Sequence, residues 1–133
     1  MIRLEIVTPE RRVIDIEVDS VTLPTASGEA GILPNHAPLI SALKPGILSY
    51  AQRGGTDRLA VSSGFVEVSH DTVSVLVDSA ETAEDVNVDA SRAELEAAEK
   101  AISSAGLVSD EEAEAARETV EHAQARLQLA SGK

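Results

Sequence analysis

Over the first eighty residues apolar side chains fall on alternate positions: Ile2, Leu4 and Ile6; Ile14, Ile16 and Val18; Val73, Val75 and Val77. A period of two places every second side chain on one face of an extended chain, so these runs predict half-buried β-strands. Turn-forming clusters separate them at Thr8-Pro9-Glu10, Thr25 to Gly28, Pro45-Gly46, Arg53-Gly54-Gly55 and Ser69-His70-Asp71. The Gly54-Gly55 pair suits a hairpin tip. No helical stretch intervenes to carry a parallel crossover, which predicts antiparallel connections in a sandwich or flattened barrel.

The period changes near Glu84. From Asp89 onward Ser91, Leu95, Ala98, Ile102 and Ala105 recur at spacings of three and four, and so do Ala113, Ala116, Val120, Ala123, Leu127 and Ala130. Each run is one apolar stripe of an α-helix. Gly106 supplies a stop for the first helix, and Ser109 with Glu112 a capping box for the second, so the two should form an antiparallel hairpin. The chain thus divides into a β domain over residues 1–84 and a helical hairpin over 85–133. Most stripe positions are alanine, which buries little area at about 25 cal/mol per Å². The hairpin should therefore lean on the β domain or on another protein.

Composition narrows the function. Tyr50 and Phe65 are the only aromatic residues, which leaves Val, Ile, Leu and Ala to build the core and removes the stacking surface for nucleic acid. A formal net charge of −12 points the same way, because phosphate backbones are held by clustered Lys and Arg. The chain has no cysteine, hence no disulfide or zinc-thiolate framework. His36, His70 and His122 fall in a loop, a turn and a helix, without the paired spacing of metal ligands. Neither a G-x-S-x-G elbow nor a G-x-x-x-x-G-K-[ST] phosphate loop is present, so no catalytic residue is assigned and ATP turnover is not expected of this chain. No segment approaches the roughly 20 apolar residues that span a bilayer, nor is there a signal or transit pattern.

An ordered set of motifs carries a resemblance across nearly the whole chain. "LPTASGEAGILPNHAPLISALKPGIL", "SSGFVEVSHDTVSVLVDSAE" and "VDASRAELEAAE" together resemble the epsilon subunits of F-type ATP synthases. The resemblance implies a flattened antiparallel β-sandwich of about ten strands followed by a two-helix hairpin. It implies a non-catalytic place in the central stalk, between the gamma subunit and the polar loops of the c subunits of the membrane ring. The alpha and beta catalytic head would be a third partner, and membrane association would come only through the complex. The location implied is the cytoplasmic face of a bacterial plasma membrane, with the stromal side of a plastid membrane as the alternative.

The same resemblance assigns residues. Gly31 and Pro34 belong to a loop whose glycines admit close backbone approach and whose prolines restrict it. Glu29 aligns with an acidic position against the ring loops and His36 with a histidine facing gamma; a corner-turning loop and a hydrogen-bonded structural histidine account for the same residues. No cofactor is required, but "VDASRA" resembles a segment that binds regulatory ATP. That reading takes Asp89, Arg92 and Ala93 from the first helix and His122 and Arg126 from the second. Locally, Asp89 would equally serve as an N-cap and Arg92 would pair with Glu96. Residues 84–133 carry twelve Asp and Glu against five Lys and Arg, a net of −7. That charge opposes docking of the second helix on an acidic segment of the head. A free-standing β-sandwich adaptor with a protein-binding hairpin explains the periodicities but not the ordered motifs. A β-barrel enzyme would need polar side chains where the alternation puts Val, Ile and Leu.

Overall fold

A computed structural model describes residues 1–103 and 110–131. Ten strands come first: β1 (Ile2–Val7), β2 (Arg12–Val18), β3 (Ser20–Thr25), β4 (Gly28–Ile32), β5 (Leu39–Leu43), β6 (Gly46–Gln52), β7 (Gly55–Val61), β8 (Gly64–Ser69), β9 (Thr72–Val77) and β10 (Ala80–Glu81). A single 3₁₀ turn at Ala83–Asp85 leads to α1 (Val88–Ser103) and α2 (Asp110–Ala130). The division expected at residue 84 falls inside that turn. Ala105 and Gly106, expected to line and to end the first helix, and Ser109, expected to cap the second, lie outside the described residues.

The strands hydrogen-bond in the order β10-β7-β6-β3-β5-β8-β9-β1-β2, with β4 paired to β3. This ribbon folds over so that its inner faces meet. Ile2, Leu4 and Ile6 of β1, Leu23 of β3, Leu48 of β6, Val66 and Val68 of β8, and Val73 and Val75 of β9 are all buried in one core. The alternation read from the sequence is what puts them there. All pairings are antiparallel except β1 with β9, whose register runs from Arg3↔Thr72 to Val7↔Leu76 in parallel. That pair needs no crossover helix, because the seven strands between them make the return.

Turn chemistry holds the hairpins in register. Gln52 pairs with Gly55, so the β6–β7 tip is Arg53-Gly54, one residue earlier than Gly54-Gly55, with both residues at positive φ. His70 and Asp71 make the corresponding β8–β9 tip, at φ 50° and 58°, without a glycine. Asp71 compensates for this left-handed backbone by holding two neighbours: its carboxylate accepts from Asn35 N–H at 2.6 Å and its carbonyl from Arg3 N–H at 2.9 Å. Gly64, at the start of β8, has a different reason to be glycine. A Cβ built there would lie 2.0 Å from the Leu76 carbonyl oxygen and 2.8 Å from Val77 Cγ1.

The first turn of α1 corrects an expectation. Asn87 is the N-cap: its Oδ1 accepts from Ala90 N–H at 2.9 Å, while its carbonyl accepts the first helical bond from Ser91 N–H. Asp89 sits one position inside the helix, where its charge still complements the helix dipole. Asn87 stands three residues before Ala90, the spacing at which an N-cap side chain meets the N3 amide, whereas Asp89 already lies within the first turn.

Helix α1 lies along α2, with Ser91 and Ala98 as its buried residues, and α2 rests on the outer side of β6 and β7. The contact is small and apolar: Ala125 and Leu129 meet Ala60, with Ile47 and Val86 packed around them. Leu59, Ala60 and Val61 are consequently buried in succession, because β7 is covered on both faces.

Candidate functional site

Two regions stand out from the packed scaffold. One is the outer face of β5, β8 and β9. Phe65 lies opposite Ala42 on β5 and opposite Leu76 on β9, so these side chains share a face by register. The same alternation that buries Val66 and Val75 turns Phe65 and Leu76 outward, 62% and 55% exposed, and Ile40 of β5 is 76% exposed. Val7 and Pro9 extend the patch, and a shallow cavity of about 640 Å³ runs along it past Asp78 and Glu118. Contiguous apolar exposure of this kind marks a contact surface.

The loop from Leu33 to Pro38 continues this face. It leads directly into β5, and Pro38, Ile40 and Glu67 line a common depression. Pro34 and His36 are exposed in it, and Asn35 takes a left-handed conformation at φ 67°. His36 folds back on its own backbone, with Nδ1 2.7 Å from the Ala37 carbonyl and its N–H donating to Leu33 O at 3.2 Å. Gly31 on β4 is open to solvent, and nothing stands within 4 Å of where its Cβ would be. Glu29, also on β4, is exposed and pairs through its backbone with Pro24. The loop and the patch are thus one surface, with Glu29 and Gly31 on the adjoining hairpin.

The second region is the cleft between the sandwich and α2. Arg126 donates from Nε to Glu81 Oε1 on β10 at 2.5 Å and from Nη1 to Glu94 Oε1 on α1 at 3.1 Å. One guanidinium therefore ties α2 to both the sandwich and the other helix. His122, one turn earlier, is partly buried with Nε2 3.4 Å from Ser79 Oγ. Its pKa is lowered, first because burial disfavours the imidazolium and then because Arg126 repels it, with Glu81 and Glu94 opposing more weakly.

Of the five residues expected to hold ATP, the structure brings together only His122 and Arg126. Asp89, Arg92 and Ala93 are exposed. Helical spacing explains the separation: Arg92 lies two residues from Glu94, and residues i and i+2 do not face the same way. No Arg92–Glu96 ion pair forms among the described residues. Sequence reasoning did not find Glu81 and Glu94 as partners of Arg126, since forty-five and thirty-two residues separate them from it. Nor did it find the outer patch, although a signal was present. Consecutive apolar residues such as Val75-Leu76-Val77 and Phe65-Val66 in a one-sided strand require one to point outward.

A β-sandwich with an apolar outer face, a fixed loop and a helical hairpin docked through an ion-paired bridge defines a protein-binding module. Residues 1–83 match the family described as "ATP synthase, Delta/Epsilon chain, beta-sandwich domain". The chain belongs to this family, and among its members it is similar to the epsilon chains. It is 47% identical over 104 residues to the ATP synthase epsilon chain of Desulforamulus reducens, covering 78% of this chain and 79% of that one. It is 41% identical over 128 residues to that of Nitratidesulfovibrio vulgaris, covering 96% and 87%. Its fold matches, with a TM-score of 0.79 and 25% identity over 98% of this chain and 81% of the other, a chain in the cryo-EM structure of Euglena gracilis mitochondrial ATP synthase, OSCP/F1/c-ring in rotational state 1.

Proposed function

We propose that this chain is a non-catalytic rotor subunit of the ATP synthase central stalk, holding gamma with the outer face of β5, β8 and β9. The observation that carries this reading is the exposed Phe65–Leu76 pair, continuous with Ile40 and the His36 loop. Burying a large apolar side chain of this kind stabilises a contact by roughly 1.5–3 kcal/mol, and a few well-buried residues carry most of the energy of an interface. Glu29 and Gly31, on the hairpin beside this face, fit the polar loops of the c subunits: the carboxylate supplies a charged hydrogen-bond acceptor and the glycine lets backbone approach.

Coupling of ring rotation to the head would then pass through a stiff body, and the sandwich with its continuous ten-strand ribbon is one. The helical hairpin is the regulatory element in this reading, facing the alpha and beta catalytic head. No helix among the described residues is long and apolar enough to cross a membrane. In this reading attachment comes through partners, on the cytoplasmic face of a bacterial membrane. Regulatory ATP remains part of the proposal at Arg126, where phosphate would compete with the carboxylates now bound there.

The test is assembly. A Phe65→Asp, Leu76→Asp double variant leaves the inner face of both strands intact, so the isolated chain should fold with unchanged strand circular dichroism. It should fail to co-purify with gamma and the catalytic head. Recovery of the variant at the parent's stoichiometry would remove this face from the interface.

A further inference from the structure

The outermost strands of a sheet carry rows of unpaired backbone N–H and C=O groups, and here those strands are β10, β2 and β4. β10 is only Ala80–Glu81 and stands against Arg126 of α2. The end of β2 is tied to β6, where Asp19 N–H donates to Ala51 O at 2.8 Å and Gln52 Nε2 to Glu17 O at 3.1 Å. β4 is protected in neither way. β3 pairs with β5 and β6 along one side and with β4 along the other, and among the described residues no strand lies beyond β4.

The β3–β4 register fixes which groups are left over. Only Ala26 and Ser27 separate Thr25 from Gly28, so these two can pair only by exchanging their own N–H and C=O groups. Bonded and non-bonded pairs alternate from there. Leu23↔Ala30 and Val21↔Ile32 are bonded, while Pro24↔Glu29 and Thr22↔Gly31 are not. Pro24 agrees, since it has no N–H and its carbonyl turns the other way to accept from Lys44 N–H at 3.0 Å. Glu29 and Gly31 therefore direct their backbone N–H and C=O groups off the free edge, and among the described residues these groups have no partner. Both residues are exposed, and the space beside Gly31 is open.

We infer that β4 is a docking edge for an extended, basic segment of a partner protein, which adds to it as a further strand. Donors and acceptors aligned on alternate residues of a strand match the backbone of an extended chain and not that of a helix, whose groups are already used. Glu29 is the only charged side chain from Ser20 to Ile32, and the chain behind it carries a net −12, so the complementary segment is basic beside Glu29. The same charge disfavours a second copy of this chain, which would bring its own Glu29 to the edge. Gly31 leaves the incoming backbone unobstructed. This docking mode rests on the proposed seat of the hairpin only for its partner, a polar ring loop; its geometry belongs to this chain alone.

Backbone amide signals of the isotopically labelled full chain test the edge. In the free chain the Glu29 and Gly31 amides should exchange with solvent about tenfold or more faster than those of Ala30 and Ile32. A capped hexapeptide of alternating lysine and valine, added to millimolar concentration, should shift and protect the Glu29 and Gly31 amides, and its glutamate–valine counterpart should not. Gly31→Pro removes one edge donor without touching the bonds to β3 and should weaken the lysine peptide about tenfold. Gly31→Ala keeps the N–H, meets open space and should bind as the parent does. Glu29→Lys should reverse the preference to the glutamate peptide, and it decides alone if circular dichroism shows that Gly31→Pro disturbs the strands. Amides at Glu29 and Gly31 already protected in the free chain, no response to the lysine peptide, or a Glu29→Lys chain with the parent's preference overturns the docking edge. So does a folded Gly31→Pro chain that binds as tightly as the parent. Peptide addition in the free chain, with Gly31→Pro leaving proton pumping by the assembled ATP synthase unchanged, upholds the edge and overturns only the ring loop as its partner.

Discussion

Gly64 shows how tightly single residues constrain this sandwich. The obstacle to a side chain there is the Leu76 carbonyl, which belongs to the β8–β9 ladder and cannot swing aside as a flexible side chain would. Gly64→Ala should therefore cost roughly 1–3 kcal/mol, the usual range for forcing extra volume into packed structure. Urea unfolding of the isolated chain checks this, and an unchanged midpoint would show that the strands can separate locally. Asn87→Ala should cost about 1 kcal/mol through loss of the N-cap, felt in the hairpin alone. Asp89→Ala should cost less, because Asp89 makes no cap bond. Hydrogen exchange of the α1 amides distinguishes the two, and equal effects would restore Asp89 as the cap. Asn and Asp are both good caps, so the local sequence around Asn87 and Asp89 does not fix where the helix begins.

Among the elements, the strands were legible because one-sided burial writes itself into alternation. Ile2-Leu4-Ile6 and Val73-Val75-Val77 read as core strands and are core strands. Helix α2 was half legible. Its stripe from Ala113 to Ala130 predicted a helix folded back on α1, as it is, but Ala125 and Leu129 pack on β6 and β7 while His122 and Arg126 reach Ser79, Glu81 and Glu94. Alanine on both sides blurs any single apolar stripe, so the side toward β6 and β7 had no periodic signal of its own. The β1–β9 parallel pair was not visible for a related reason: pairing across seven strands is set by how the ribbon folds over, not by any local pattern. Because the core lies wholly within the strands, a chain stopped after Glu84 should unfold cooperatively and retain gamma binding. Among the described residues, stopping there uncovers the small Ala60–Ile47 face and leaves Glu81 without Arg126. Thermal circular dichroism of that fragment is the check, and a broad, non-cooperative melt would make the hairpin part of the core.

At the scale of the whole molecule, the candidate surfaces separate by chemistry. The outer face of β5, β8 and β9 is apolar and open; the cleft is charged and occupied from within. Carboxylates from Glu81 and Glu94 already satisfy Arg126, so ATP reaching that guanidinium must displace at least one of them. Calorimetric titration at about pH 8 should accordingly show tighter ATP binding to Glu94→Gln than to the parent, by about tenfold if one charge-assisted bond of roughly 1.5 kcal/mol is freed. Equal affinities would place any nucleotide elsewhere. The family motifs singled out the stretch from Glu29 to His36, of which Glu29 and Gly31 are paired into strand β4 rather than lying in a loop as expected, while the Phe65–Leu76 patch required the register of three strands that are neighbours only in the folded chain.

The central claim is that this chain seats on gamma through the β5, β8 and β9 face, with the Glu29 hairpin toward the membrane ring. An electron cryo-microscopy map of the ATP synthase assembled with this chain tests it most directly. The account predicts Phe65, Leu76 and Ile40 buried against gamma and Glu29 within hydrogen-bonding reach of a ring loop. A map in which Phe65 and Leu76 face solvent while another side of the sandwich holds gamma would contradict it.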